Sequence, residues 1–229
     1  MKKFGDSFNL CYFWGLNRKD YVMKRLVIGF VFACIMVAAG AQKMENYFAQ
    51  MPDDLISQLE EAWRKDLVDL YKSGKPAQLE NTMLGKSTLL MLTDHYLLLQ
   101  STERSTVELK LLPLINNTSI LCMVETIYAP VADSRVSFYT TEWQQLPADD
   151  IFTPVDKDWF RNEDADPAQW KDLLLPEICL MKYHLSDKES TLTAEYMTPF
   201  NLDDESQQLV KPLLKDEPKI YQWKNGRFE

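Results

Sequence analysis

Gly85-Lys86-Ser87-Thr88 is the stretch of this chain that most resembles a chemical device. A phosphate-binding loop reads G-x-x-x-x-G-K-[ST], because two glycines let backbone N–H groups wrap the phosphates and the lysine meets their charge. Counting back from Gly85, the first glycine is missing and Glu80 stands in its place, a carboxylate where a phosphate would lie. The loop also needs a helix after it, whereas the residues beyond Lys86 read as β-runs. The four residues therefore read as a glycine turn between strands, and no nucleotide is expected.

The other reactive residue types are sparse or scattered. His95 and His184 are the two histidines, too far apart in sequence to make a zinc site on their own. Asp94-His95 hints at acid–base work, but G-x-S-x-G is absent, so no serine sits in a nucleophile elbow. Both histidines read as surface or satisfied strand residues. Asn162-x-Asp164-x-Asp166 imitates the start of a calcium loop, yet Pro167 and Leu173 stand where an EF-hand needs glycine and glutamate. Cys122 and Cys179 lie in apolar runs, where a free thiol packs as a small hydrophobe; a disulfide between them stays open. No catalytic, cofactor-binding or metal-binding residue can be assigned, and no cofactor is expected.

Whatever such residues do, the elements around them must hold them. Pro52–Lys75 has apolar residues at steps of three and four, Leu55, Ile56, Leu59, Trp63, Leu67 and Leu70, which predicts one amphipathic helix. From Leu79 to Trp143 short β-type runs follow: 89–93, 96–101, 107–112, 120–127 and 136–143. Val107, Leu109 and Leu111 alternate with Glu108 and Lys110, predicting one buried face and one wet face. Residues 147–176 are acidic and proline-rich, with a short helix expected after Asp166-Pro167. Strands are expected over 178–185 and 191–197, and a helix over Leu202–Leu214. A final strand, Lys219–Lys224, is expected on the main sheet with Tyr221 or Trp223 buried, closed by the Asn225-Gly226 reversal.

Near the start, Lys24-Arg25, the apolar run Leu26–Val37 and Ala39-Gly40-Ala41 have the order of a secretory signal peptide cleaved after Ala41. Met23 then reads as the true start. Cys34 is preceded by Phe32-Ala33, a poor lipobox, and reads as an ordinary apolar-region residue. The apolar run is shorter than the roughly 20 residues of a membrane-spanning helix. The whole chain carries a net charge of −9, and residues 1–41 hold six of its 25 basic residues but two of its 34 acids. Cleavage would leave a still more acidic protein, which repels nucleic acid and anionic membranes.

The stretches GKSTLLMLTDHYLLLQSTERSTVELKLLP and CMVETIYAPVADSRVSFYTTEW resemble a family of uncharacterised exported proteins of Bacteroidetes, a domain of unknown function. The similarity runs from Gln42 to Glu229. It implies an envelope location in a Gram-negative cell and supplies no reaction, ligand or site residue.

These readings converge on an α+β protein: an N-terminal amphipathic helix packed on an antiparallel sheet, followed by a second helix-and-strand unit. Residues 1–41 are the signal-peptide region, 42–146 the helix and sheet, and 147–229 the acidic crossover and second unit, forming one compact domain with 42–146. The expected role is a non-catalytic protein of the periplasm or exterior that binds another protein or a cell-surface polymer. A hydrolase with paired carboxylates, acting on glycans, is the alternative. A flat or concave face of exposed aromatics would favour the first and a pocket with a suitably spaced carboxylate pair the second.

Overall fold

Short turns between β-prone runs favour pairing each strand with the one before it. In the computed structural model, which describes residues 43–166 and 178–229, seven strands pair in strict sequence order. They are β1 (Gln78–Glu80), β2 (Lys86–Leu92), β3 (Tyr96–Thr102), β4 (Ser105–Pro113), β5 (Ser119–Tyr128), β6 (Ala132–Tyr139) and β7 (Gln145–Leu146). Four more, β8 (Met181–Leu185), β9 (Thr191–Tyr196), β10 (Lys219–Lys224) and β11 (Arg227–Phe228), form a second sheet in the order β11-β10-β9-β8. Every pairing in both sheets is antiparallel. The expected signal peptide and the expected helix after Asp166 lie outside the described residues.

Alternation along the strands sends side chains into two cores. Leu97, Leu99, Val107, Leu109, Leu121 and Met123 join Met44, Phe48, Leu59 and Leu67 on one face of the seven-stranded sheet. Tyr96, Leu112, Ile120, Cys122, Val124 and Phe138 join Tyr183, Leu185, Leu192, Tyr221 and Phe228 on the other. The central strands β4 and β5 are therefore covered on both faces, and each large side chain so buried contributes about 1.5–3 kcal/mol. Lys43–Glu229 forms one compact unit.

The α+β architecture expected from the sequence is overturned. Among the described residues the chain is mostly antiparallel sheet, eleven strands in two sheets, and its helices are short. The single helix expected over Pro52–Lys75 is broken into a 3-10 turn, Asp53–Leu55, and a helix of 12 residues, Glu61–Lys72. Donors from outside the helix path are the physical reason: Thr82 donates from N to Gln58 O (3.1 Å) and from Oγ1 to Ser57 O (2.9 Å), and Arg64 holds Leu59 O. Only 1% exposed, Arg64 donates from Nε to Phe48 O (3.1 Å), from Nη1 to Leu59 O and Asp53 Oδ1 (2.8 Å), and from Nη2 to Met51 O and Ala49 O (3.4 Å). Each of its five N–H donors has an acceptor, and Leu59 O, so held, is unavailable to a continuous helix.

The second unit is likewise not a helix-and-strand module. Its described helix is only Asp204–Val210, capped by Asp203 and followed by a 3-10 turn over Lys211–Leu213 at Pro212. Its strands instead build a sheet over the face of β4 expected to be wet. Glu108 and Lys110 are both buried, 5% exposed. The last strand belongs to this second sheet rather than the main one. Tyr221 is buried and Trp223 half-buried. Asn225 (φ 53°) and Gly226 (φ 85°) make the reversal, so that Trp223 pairs with Phe228.

Candidate functional site

The Gly85-Lys86-Ser87-Thr88 stretch lies at a hairpin between β1 and β2. Its donors serve the chain itself. Met83 and Gly85 donate their N–H groups to Asn81 Oδ1 (3.0 and 3.1 Å), Leu84 to Asn81 O (3.0 Å) and Thr82 to Gln58 O (3.1 Å). Buried Asn81 also donates from Nδ2 to Ser87 Oγ (3.1 Å) and Ser101 O (3.2 Å). The backbone groups that would wrap a phosphate are thus satisfied by an Asx turn, and a strand starts at Lys86 where a helix would be needed.

The two histidines are kept apart. His95 is exposed between β2 and β3. His184 reaches the buried Glu108, its Nδ1 3.1 Å from Oε1, and Glu108 Oε2 accepts from Tyr96 Oη (3.1 Å) and Leu185 N (2.8 Å). Lys110, on the same face, donates from Nζ to Ser186 O (2.8 Å) and Asp187 O (3.3 Å). Burial, together with the Glu108 charge, pushes the Tyr96 phenol well up, and burial lowers the Lys110 ammonium. No serine, threonine or cysteine among the described residues hydrogen-bonds to His184, so no nucleophile–base pair forms there.

This polar cluster is part of a seam. β8 is the edge of its sheet, and its outward N–H groups would be a template for another chain. Each is taken by a side chain of the other sheet: Met181 N by Asp133 Oδ1 (3.1 Å), Tyr183 N by Ser134 Oγ (3.0 Å) and Leu185 N by Glu108. The cluster joins the sheets and closes an edge, which a charge on a nominally wet strand face did not reveal in sequence.

A cavity with binding dimensions lies elsewhere, at the end of the second sheet where β9 stops and β10 begins. Its volume is about 700 Å³, within the few hundred to about 1,000 Å³ of small-molecule and peptide sites. Phe160 stacks on Tyr196 at 5.6 Å and 22°, and Phe200 is 63% exposed. One wall is knitted by Lys215 N donating to Phe160 O (2.7 Å) and Asn162 N to Leu213 O (2.8 Å). The opposite wall carries Gln207 and Gln208 from the Asp204–Val210 helix. Glu195, Asp204, Asp216 and Glu217 supply carboxylates, and Lys211 and Lys215 supply ammonium groups. None of these was singled out in sequence as a site residue, because the lining comes from four separate segments with no shared motif.

Residues 36–228 match the family described as "Protein of unknown function (DUF3256)". The chain belongs to the DUF3256 family. It is similar in structure to a domain of an uncharacterised protein from Porphyromonas gingivalis W83, with a TM-score of 0.73 and 27% identity, over 83% of this chain and 98% of that one. No curated protein matches it. DUF3256 membership agrees with the resemblance read from the 85–143 region to an uncharacterised family, and the Porphyromonas relative places a similar domain in Bacteroidetes.

In this DUF3256 chain, Cys122 and Cys179 are free thiols, the first buried and the second exposed. Cys179 precedes β8 rather than lying within it. Asn162 Oδ1 accepts from Asp164 N (3.1 Å), a local turn. Among the described residues, no three His, Cys, Asp or Glu side chains gather in a way that could hold a metal ion. Among them, too, no helix is long and apolar enough to cross a membrane.

The His184–Glu108 contact makes a pH-dependent contribution. The hydrogen bond to Glu108 raises the His184 pKa above its usual value, against burial and the Lys182 charge, which lower it. A raised folded-state pKa means that this stabilisation is complete below the unfolded value, about 6.5, and is lost as pH rises through the folded value. Half-exposure of the ring keeps the effect small. An imidazole proton titration by NMR is expected to place the His184 midpoint above 6.5, and His184→Gln is expected to flatten the decline of melting temperature on the alkaline side. A midpoint at or below 6.5 would show that Glu108 does not hold the charged ring.

Proposed function

We propose that this protein is exported and binds, without catalysis, another protein or a cell-surface polymer of the bacterial envelope. The observation that carries the reading is the concave groove of about 700 Å³ with Phe160, Tyr196 and an exposed Phe200 on its lining. Exposed apolar surface in a concave site rimmed by polar groups is where partners dock. Export is supported by the ordered Lys24-Arg25, Leu26–Val37 and Ala39-Gly40-Ala41 pattern.

The test is capture from the native envelope fraction by the tagged protein and by Phe200→Asp, a change at an exposed position that leaves the cores intact. The expected result is a partner retained by the unaltered protein and depleted about tenfold by the variant, a change of about 1.4 kcal/mol. Equal retention by both would remove the groove from the reading. Intact mass of the envelope form is expected to begin at Gln42; a mass that includes Met23 would refute cleavage.

A further inference from the structure

We infer that the groove takes a cationic peptide segment, a lysine- or arginine-bearing stretch of another protein with at least one large apolar side chain. This rests on the binding reading above and names its ligand. The groove's charges do not cancel. Glu195 is paired with Lys182 (3.2 Å), while Lys215 sits 3.6 Å from Glu163 with its ammonium 4.9 Å from the Trp159 ring centre. Among the described residues of the lining, Asp204, Asp216 and Glu217 then face Lys211 as the cation not already engaged. A negative surplus in a concave, partly apolar site attracts a positive ligand and repels an anionic polymer. The net charge of −9 on the whole chain acts in the same direction at longer range.

The remaining lining suits the rest of such a segment. Phe200, 63% exposed, offers apolar contact and a ring face to a guanidinium or ammonium, backed by the buried Phe160–Tyr196 stack. The protein already makes this contact internally, with Lys219 Nζ 5.5 Å from the Trp159 ring centre and 5.3 Å from that of Tyr221. Gln207 spends its Nε2 on Leu202 O (2.8 Å) and keeps a carbonyl to accept from a peptide N–H; Gln208 offers a whole carboxamide. The outward N–H groups of β8 are capped, and the groove residues lie outside the strands except Glu195 and Tyr196 of β9, an interior strand. Recognition therefore runs through side chains, where charge and an apolar anchor decide the ligand.

Calorimetric titration of the whole protein with four capped probes tests this: the tetrapeptides Lys-Phe-Leu-Lys, Glu-Phe-Leu-Glu and Lys-Gly-Ser-Lys, and chitotetraose. Lys-Phe-Leu-Lys is expected to bind at least about tenfold more tightly than the others and to weaken as salt is raised. The double variant Asp216→Asn, Glu217→Gln changes two exposed residues and is expected to lose about tenfold in that affinity. Equal or tighter binding of the acidic peptide or of chitotetraose would overturn the inference while leaving a binding groove. So would silence of Lys-Phe-Leu-Lys up to about 1 mM. The Phe200→Asp capture comparison is independent of these probes, so a failure of the binding reading itself would be seen separately.

Discussion

Arg64→Ala is expected to lower the unfolding free energy by roughly 3–4 kcal/mol, since each buried acceptor left without a donor costs about 1–3 kcal/mol. The side chain holds the carbonyls of Phe48, Met51 and Leu59 inside the layer that covers the seven-stranded sheet. Phe48 O keeps Met51 N (3.3 Å), but the Met51 and Leu59 oxygens lose their donor in a layer where these residues are at most 1% exposed. Asp53 contributes little to the expected loss, because its side chain is 61% exposed and its ion pair is screened. Arg64→Lys is expected to recover only part of the stability, since one ammonium cannot reach acceptors spread around a planar fork. In thermal unfolding the alanine variant should melt roughly 10 °C lower, at about 2–4 °C per kcal/mol for a domain of this size. A loss below about 1 kcal/mol would mean that the Phe48–Leu59 loop is held by apolar burial alone.

Arg64 also shows why the expected long helix was a misreading. Leu55, Ile56, Leu59, Leu67 and Leu70 have helical spacing, and all contribute to the same core, Ile56, Leu59 and Leu67 buried in it and Leu55 and Leu70 packed against it. Spacing reports which face is apolar, whereas the path of the backbone between Leu55 and Glu60 is set by where its carbonyls find donors. For Leu59 O that donor is Arg64 on the next helix, and for Ser57 O and Gln58 O it is Thr82 in the turn after β1. Glu108 and Lys110 were misread for the same reason in reverse. Alternation in β4 described one strand correctly, but the sheet that covers its polar face comes from residues some 70 positions later. The β-runs between Leu79 and Trp143 were legible because their partners are their sequence neighbours, and the Asn225-Gly226 reversal because its chemistry is local. The groove was illegible because Phe160, Tyr196, Phe200 and Glu217 come from segments far apart in sequence that share no motif.

Deleting residues 218–229 is expected to abolish cooperative unfolding, a larger effect than any single substitution above. The deletion removes β10 and β11 and turns β9, an interior strand, into an open edge. It also removes Tyr221, whose hydroxyl donates to Thr153 O (3.1 Å), and Phe228, 2% exposed. Phe228 lies among Phe138, Phe152 and Trp223, with ring centres 5.0 to 6.4 Å away. Its N–H also donates to Ile151 O (2.8 Å), fastening the 147–155 crossover to the sheet. Phe228→Ala alone is expected to cost roughly 3–5 kcal/mol through lost burial and the cavity left behind, a large share of the 5–15 kcal/mol that holds a typical domain together. The point variant should therefore still unfold in one transition at lower urea, while the truncation shows none. The two outcomes separate packing from topology: if the truncation melts as sharply as Phe228→Ala, the aromatic cluster carries the contribution of the C-terminus, and the β9–β10 pairing adds nothing beyond it.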